Sequence, residues 1–186
     1  MLEKLVEWDR EAFIYLNNMG IDEYDGFWSA ITAFSNWTPL FLLIIFLLFF
    51  RNHREQGFWM LLAFAAMLTV LTIVIFTTKE LVGRLRPNND ETIKSVIRIV
   101  QQPLDYSFFS GHAASSFSIA TLAVLFLRKR FGFVHLIWLY PLLFSFSRIY
   151  LGVHYPSDIL VGSLVGMLFA YIFYKMHQRF RAPYIL

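Results

Sequence analysis

The sequence predicts an all-α integral membrane protein: a single domain, 1–186, folded as a bundle of five to six transmembrane helices with an N-terminal amphipathic helix. Three observations lead there. The chain is 58% hydrophobic, with a mean hydropathy of +0.55. Only 16% of its residues are charged, against roughly 25% in a soluble domain. The charges are also unevenly spread, for five stretches contain none, which suits membrane helices better than one large globular core.

The elements follow in chain order. Leu2, Leu5, Val6, Phe13 and Leu16 recur at helical spacing among Glu3, Glu7, Asp9, Arg10 and Glu11. This predicts an amphipathic helix over 2–18, lying on the membrane or against the bundle. Glu3 and Glu7 argue against a cleavable signal peptide, which needs a basic start. The uncharged segments 26–50 and 57–78 are each long enough for the ~20 residues a crossing requires. Segments 111–127, 131–147 and 159–174 are shorter as bounded by charge, and their helices are expected to run a few residues further. The polar stretch 79–110, with Pro87-Asn88-Asn89-Asp90 and Gln101-Gln102-Pro103, predicts an ordered loop with turns rather than a second domain.

Five crossings place the loops alternately on two sides. Segments 51–56 and 128–130 and the tail from Lys175 hold eight Lys/Arg and one acid, Glu55. The other side holds eight Lys/Arg and twelve acids in much longer segments. Compact basic loops mark the cytoplasmic face, so 79–110 and 148–158 are expected outside.

The chain has no cysteine, which excludes disulfides, thiol nucleophiles and thiolate-held metals. A net charge of +3 without a basic tract interleaved with aromatics gives no nucleic-acid surface. The remaining unusual residues gather at three points on the outer side. They are Lys79 to Pro87 where the second span ends, Ser110-Gly111-His112 where the third begins, and Ser147-Arg148, His154 and Asp158 between the last two.

Each group offers something a phosphate site needs. Lys79, Arg86 and Arg148 supply three cations, two of them guanidiniums suited to paired bonds with phosphate oxygens. Ser110 and Gly111 stand at a helix start, where unpaired amides and the helix dipole favour an anion. His154 and His112 are imidazoles able to act as nucleophile and acid near neutral pH. Pro156 is expected to start the last helix. Asp158 then falls in its first turn, placed to fix the tautomer of His154.

Other polar residues receive plainer readings. Arg84 and Arg98 are expected to be solvated or paired with acids such as Glu80, and Asp105 to be a solvated loop carboxylate. Ser115, Ser116, Ser118, Gly162 and Gly166 are expected to let helices pack closely. His53, His135 and His177 receive no role.

The three groups resemble the signature of the type-2 phosphatidic acid phosphatase superfamily. Lys79, six residues and Arg86-Pro87 match its first motif, and Ser147-Arg148, His154 and Asp158 match its third. The second is kept at Ser110, Gly111 and His112, with Phe109 where the family usually has proline. The resemblance covers roughly residues 57–175 and implies a membrane lipid phosphatase. By it, His154 is the nucleophile, Asp158 its partner and His112 the proton donor. Lys79, Arg86, Ser110, Gly111 and Arg148 hold the phosphate. It implies a phosphohistidine intermediate with neither metal nor cofactor, and the outer-side motifs offer no carboxylate cluster for a metal. The implied partners are a lipid phosphate substrate and membrane lipids, with the site facing outward from the inner membrane. Polyprenyl pyrophosphate is expected first, ahead of phosphatidylglycerophosphate and lipid A phosphates. A phosphotransferase and a lipid or ion transporter are the competing readings.

Overall fold

The structure is a computed structural model and describes residues 2–50 and 52–181. Among the described residues there are seven α-helices and no strand: α1 Leu2–Asn18, α2 Asp25–Ile31, α3 Thr38–Phe49, α4 Arg54–Val82, α5 Gly111–Leu127, α6 Leu139–Tyr150 and α7 Pro156–Arg181.

The expected continuous crossing over 26–50 is broken. The helical segments on either side of residues 32–33 meet at 63°. Trp37 Nε1 donates to the Ile31 carbonyl and Asn36 Nδ2 to that of Ala30, each at 2.8 Å. These side chains satisfy carbonyls that a continuing helix would have used. Pro39 sits in the first turn of α3, where its missing N–H costs nothing. The expected span over 131–147 also starts differently, as a 3₁₀ turn over Gly132–Trp138 before α6.

Among the described residues, 54–89, 132–150 and 156–180 qualify as crossings by length and apolarity, and the bent pair makes a fourth if it is one span. The five to six expected are not reached on this measure. α5 is the reason, since its 17 residues extend only about 25 Å against a hydrocarbon layer of about 30 Å. α4, with 29 residues, is about 43 Å long and overshoots it.

α5 lies at the centre and packs most extensively on α7. Two glycines permit the approach. A Cβ on Gly162 would come within 2.6 Å of the Ser110 carbonyl oxygen, and one on Gly166 would collide with that of Ala114. Ser110 N–H also donates to the Asp158 carbonyl at 3.0 Å. The start of α5 is thereby fixed to the start of α7, which positions the site. At the basic-loop end, Leu48, Met67, Leu122, Leu127 and Val134 form a buried core.

α1 docks through its polar face. Asn17 is fully buried, its Nδ2 donating to the carbonyls of Arg98, Ile149 and Tyr150 and its Oδ1 accepting from Arg98 N–H. Phe13 packs with Ile93, Ile149 and Tyr155. Leu5 and Val6, on the apolar stripe expected to lie on the membrane or against the bundle, are exposed with Trp8 and Tyr15.

Candidate active site

α4 carries Lys79 in its last turn and ends at Gly83, whose φ of +61° lets its N–H close on the Lys79 carbonyl at 3.0 Å. The chain then leaves the helix and delivers Arg84 and Arg86 to the mouth of the α6–α7 connection. Arg86 Nη1 donates to the Val153 carbonyl and meets His154 Nε2, both at 2.9 Å.

That contact assigns the imidazole tautomer. A guanidinium has only donors, so Nε2 accepts and Nδ1 carries the proton. Nδ1 faces Asp158 Oδ2 at 3.4 Å, a loose approach of the kind that tightens when substrate binds. Asp158 is itself held, with Oδ2 accepting from Tyr155 N–H at 3.0 Å and Oδ1 from Arg84 at 2.8 Å. Both His154 and Asp158 are fully buried. Burial, then the charges of Arg86, Arg148 and Lys79, push the His154 pKa well below its usual value, with Asp105 opposing. The ring therefore stays neutral and keeps the lone pair a nucleophile needs.

Lys79 and Arg86 meet on one carboxylate. Asp105 Oδ2 accepts from Lys79 Nζ at 2.5 Å, and both Asp105 oxygens accept from Arg86 Nη2 at 2.9 and 3.0 Å. Burial alone would raise the Asp105 pKa, but the hydrogen bonds from Lys79 and Arg86 outweigh it and hold it at about 2. Arg148 approaches from α6. Its Nη1 donates to Thr32 Oγ1 at 2.5 Å and Gln101 Oε1 at 3.2 Å, while its buried Nε has no partner. An unpaired buried N–H of this kind costs roughly 1–3 kcal/mol, and a phosphate oxygen can take it.

Ser110 caps α5, its Oγ accepting from Ala113 N–H at 3.3 Å. The cap uses a lone pair of Oγ and leaves its O–H to donate, so this helix start offers an anion the Ser110 hydroxyl and the amides of Gly111 and His112. The His112 ring stacks on Phe144 at 5.1 Å and lies 5.4 Å from Phe34, within electrostatic reach of Arg148, His154, Arg86 and Lys79. Phe109 is buried against Leu71, Ile75 and Ala114, so apolar packing fixes the chain before α5. Among the described residues no group of three or more His, Asp and Glu is placed to hold a metal ion.

Lys79, Arg86, His154, Asp158 and Ser110 are thus joined by direct bonds or through one shared partner, and His112 and Arg148 approach them through charge. Sequence reasoning missed four participants and misplaced one. Arg84 pairs with Asp158 and, at 2.7 Å, with Asp9 rather than with Glu80. Its spacing of two from Arg86 was the available signal, because extended chain turns alternate residues to one side. Arg98 pairs with Asp22 and Asp25. Asp105 is no free loop acid but the shared partner of two cations. Asp9, Thr32 and Gln101 reach the site across long sequence separations that leave no local pattern.

The family model described as the PAP2 superfamily matches residues 58–182. The chain is 30% identical over 186 residues to the lipid A 4'-phosphatase of Bacteroides thetaiotaomicron, covering 98% of this chain and 82% of that protein. It is 28% identical over 174 residues to the undecaprenyl-diphosphatase of Sulfolobus acidocaldarius, covering 91% of this chain and 79% of that protein. The fold is that of a transmembrane PAP2 type phosphatidylglycerolphosphate phosphatase from Bacillus subtilis, with a TM-score of 0.73 over 95% of this chain and 87% of that one, at 23% identity.

Proposed function

The chain belongs to the PAP2 superfamily of membrane lipid phosphatases, and from that premise we propose that it hydrolyses the terminal phosphate of a membrane lipid through a phosphohistidine on His154. The observation that carries this reading is the pairing of His154 Nε2 with Arg86, 2.9 Å away, while Nδ1 faces Asp158. The lone pair points at Arg86 of the cation cradle, which releases it for the attack, and the carboxylate stands behind the ring.

The reaction has two displacements. Nε2 attacks phosphorus, the bond from phosphorus to the lipid oxygen breaks, and His112 gives that oxygen a proton. The phosphorylated ring, still protonated at Nδ1, is positively charged and is met by Asp158. Water then attacks phosphorus, returns a proton to His112, and the phosphorus–nitrogen bond breaks to release inorganic phosphate. Lys79, Arg86, Arg148, the Ser110 hydroxyl and the amides of Gly111 and His112 stabilise the equatorial oxygens, usually the largest catalytic contribution. What supports a metal-independent route is that donor set, which is cationic where a metal site is carboxylate-rich.

For the substrate, a lipid A type phosphate monoester takes first place, on the identity and coverage shared with the Bacteroides phosphatase. Polyprenyl pyrophosphate, expected first from the sequence, is the second reading and rests on the undecaprenyl-diphosphatase relative. The site is proposed to face outward from the inner membrane, the basic loops lying in the cytoplasm. Release of inorganic phosphate by the solubilised protein from lipid A, polyprenyl pyrophosphate and phosphatidylglycerophosphate, ranked by kcat/KM, tests the proposal. Release from none of the three would refute the phosphatase reading.

A further inference from the structure

Every nitrogen of Arg86 is already engaged. Nε donates to the Asp105 carbonyl at 2.8 Å, Nη1 to Val153 O and His154 Nε2, and Nη2 to both Asp105 carboxylate oxygens. Lys79 pairs with the same carboxylate. A substrate phosphate that takes over the Nη2 and Nζ donors held by this carboxylate must displace it. The backbone carbonyls are fixed, and His154 Nε2 gives up Nη1 when it attacks. Asp105 is the partner left to displace. Its side chain is 50% exposed, against 8% for Lys79 and 4% for Arg86, and it lies in irregular chain beside Leu104, which is 92% exposed.

The exchange has a charge requirement. Asp105 presents one negative charge through two oxygens, both on Arg86 Nη2 and one of them also on Lys79 Nζ. A terminal phosphate monoester carries close to two charges near pH 7 and gains up to about twice the Coulomb attraction to the same cations. A phosphodiester carries one charge, so it gains nothing by replacing the carboxylate and brings more bulk. A membrane surface is crowded with phosphodiester headgroups, and a cradle of bare cations would bind them.

We infer that Asp105 is a resident anion that keeps the Lys79–Arg86 cradle from filling with phosphodiester headgroups and yields it to a terminal phosphate. The inference rests on the reading that Lys79 and Arg86 hold substrate phosphate. Its ionisation is secure, because the two cations keep the carboxyl charged far below neutral pH.

The test uses full-length protein in detergent micelles hydrolysing a soluble aryl phosphate. Inhibition constants are measured for inorganic phosphate and for dimethyl phosphate, a singly charged diester, and again with phosphatidylglycerol mixed into the micelles. Wild type should discriminate against both diesters. Asp105→Asn keeps the shape and removes the charge, so dimethyl phosphate and phosphatidylglycerol should inhibit it at least about ten times more strongly. Inorganic phosphate should gain by a similar factor, because both ligands displace the same carboxylate. Inhibition constants are independent of the fraction of protein that is folded and active, so a destabilised variant still gives a decision. Unchanged inhibition constants for the diesters in both Asp105→Asn and Asp105→Ala overturn the inference. Lys79→Met separates the underlying reading. If inorganic phosphate inhibits that variant as strongly as wild type, the cradle assignment itself fails. If phosphate binding weakens there while the Asp105 variants bind diesters as wild type does, only the role of Asp105 fails.

Discussion

Arg84 reaches Asp158 Oδ1 at 2.8 Å, so the carboxylate behind the His154 ring is positioned by a residue that lies within the first group but is not one of its matched motif positions. The same guanidinium grips Asp9 of α1, and Asp9 in turn accepts from the N–H and hydroxyl of Ser157. The N-terminal helix is thereby bonded to the first turn of α7 and, through Arg84, to the catalytic pair.

Removing that support should misalign Asp158 without touching the phosphate cradle. Arg84→Ala should lower kcat by about 10- to 100-fold, the usual cost of losing an orienting partner behind a reactive group, with KM changed less than about threefold. Arg84→Lys should recover part of the loss. Steady-state kinetics on one lipid substrate decide it, and a purely elevated KM would assign Arg84 to substrate binding instead.

His112 and His154 should separate by leaving group. A lipid alkoxide departs badly without a proton, whereas a nitrophenolate departs readily. His112→Ala should cost an alkyl phosphate about 10²–10⁴-fold more than an aryl phosphate, the span of a general acid's contribution. His154→Ala should be equally inactive on both. Parallel losses for His112→Ala on the two substrates, accompanied by a lowered Tm, would reduce His112 to a residue stacked on Phe144.

The approach of α5 to α7 should tolerate no side chain. Gly166→Val places a branch against the Ala114 carbonyl, and overpacking of this sort costs about 1–3 kcal/mol. Tm should fall and activity with it, because the same approach fixes Ser110 to Asp158. Gly132→Ala meets open space and should leave both unchanged. A Gly166→Val protein as stable as wild type would mean the helices are not held this close.

Much of this was legible in the sequence, and the division has a physical basis. Charge-free lengths and the spacing of Lys79, Arg86, His154 and Asp158 are local properties, and local patterns survive in one dimension. The break after Ile31 was less visible, since Trp37 and Asn36 cap α2 through side chains that also suit an apolar span. The polar docking of α1 was hidden for the opposite reason. Its apolar stripe left open whether the helix lies on the membrane or against the bundle, and Asp9 and Asn17 found partners 75 or more residues away. Asp105 looked like any loop acid until two cations converged on it.

Orientation can be read in intact cells. Glu91 is exposed, 83% by its side chain, within the 79–110 loop that is proposed to lie on the side away from the basic loops. A cysteine there should react with a membrane-impermeant thiol reagent, and one at the exposed His53 should not. The chain has no cysteine of its own, so the background is clean. Labelling at position 53 alone would place the site in the cytoplasm.

The most direct test of the central claim is a rapid-quench search for the phosphoenzyme, run in EDTA with a phosphorus-labelled substrate. Wild type should form an acid-labile, alkali-stable label within the first turnover, mapped by peptide mass to His154. His154→Ala should form none and should turn over at less than about a thousandth of the wild-type rate, the level that binding alone sustains. Steady turnover by His154→Ala, or a label on another residue, would contradict the account.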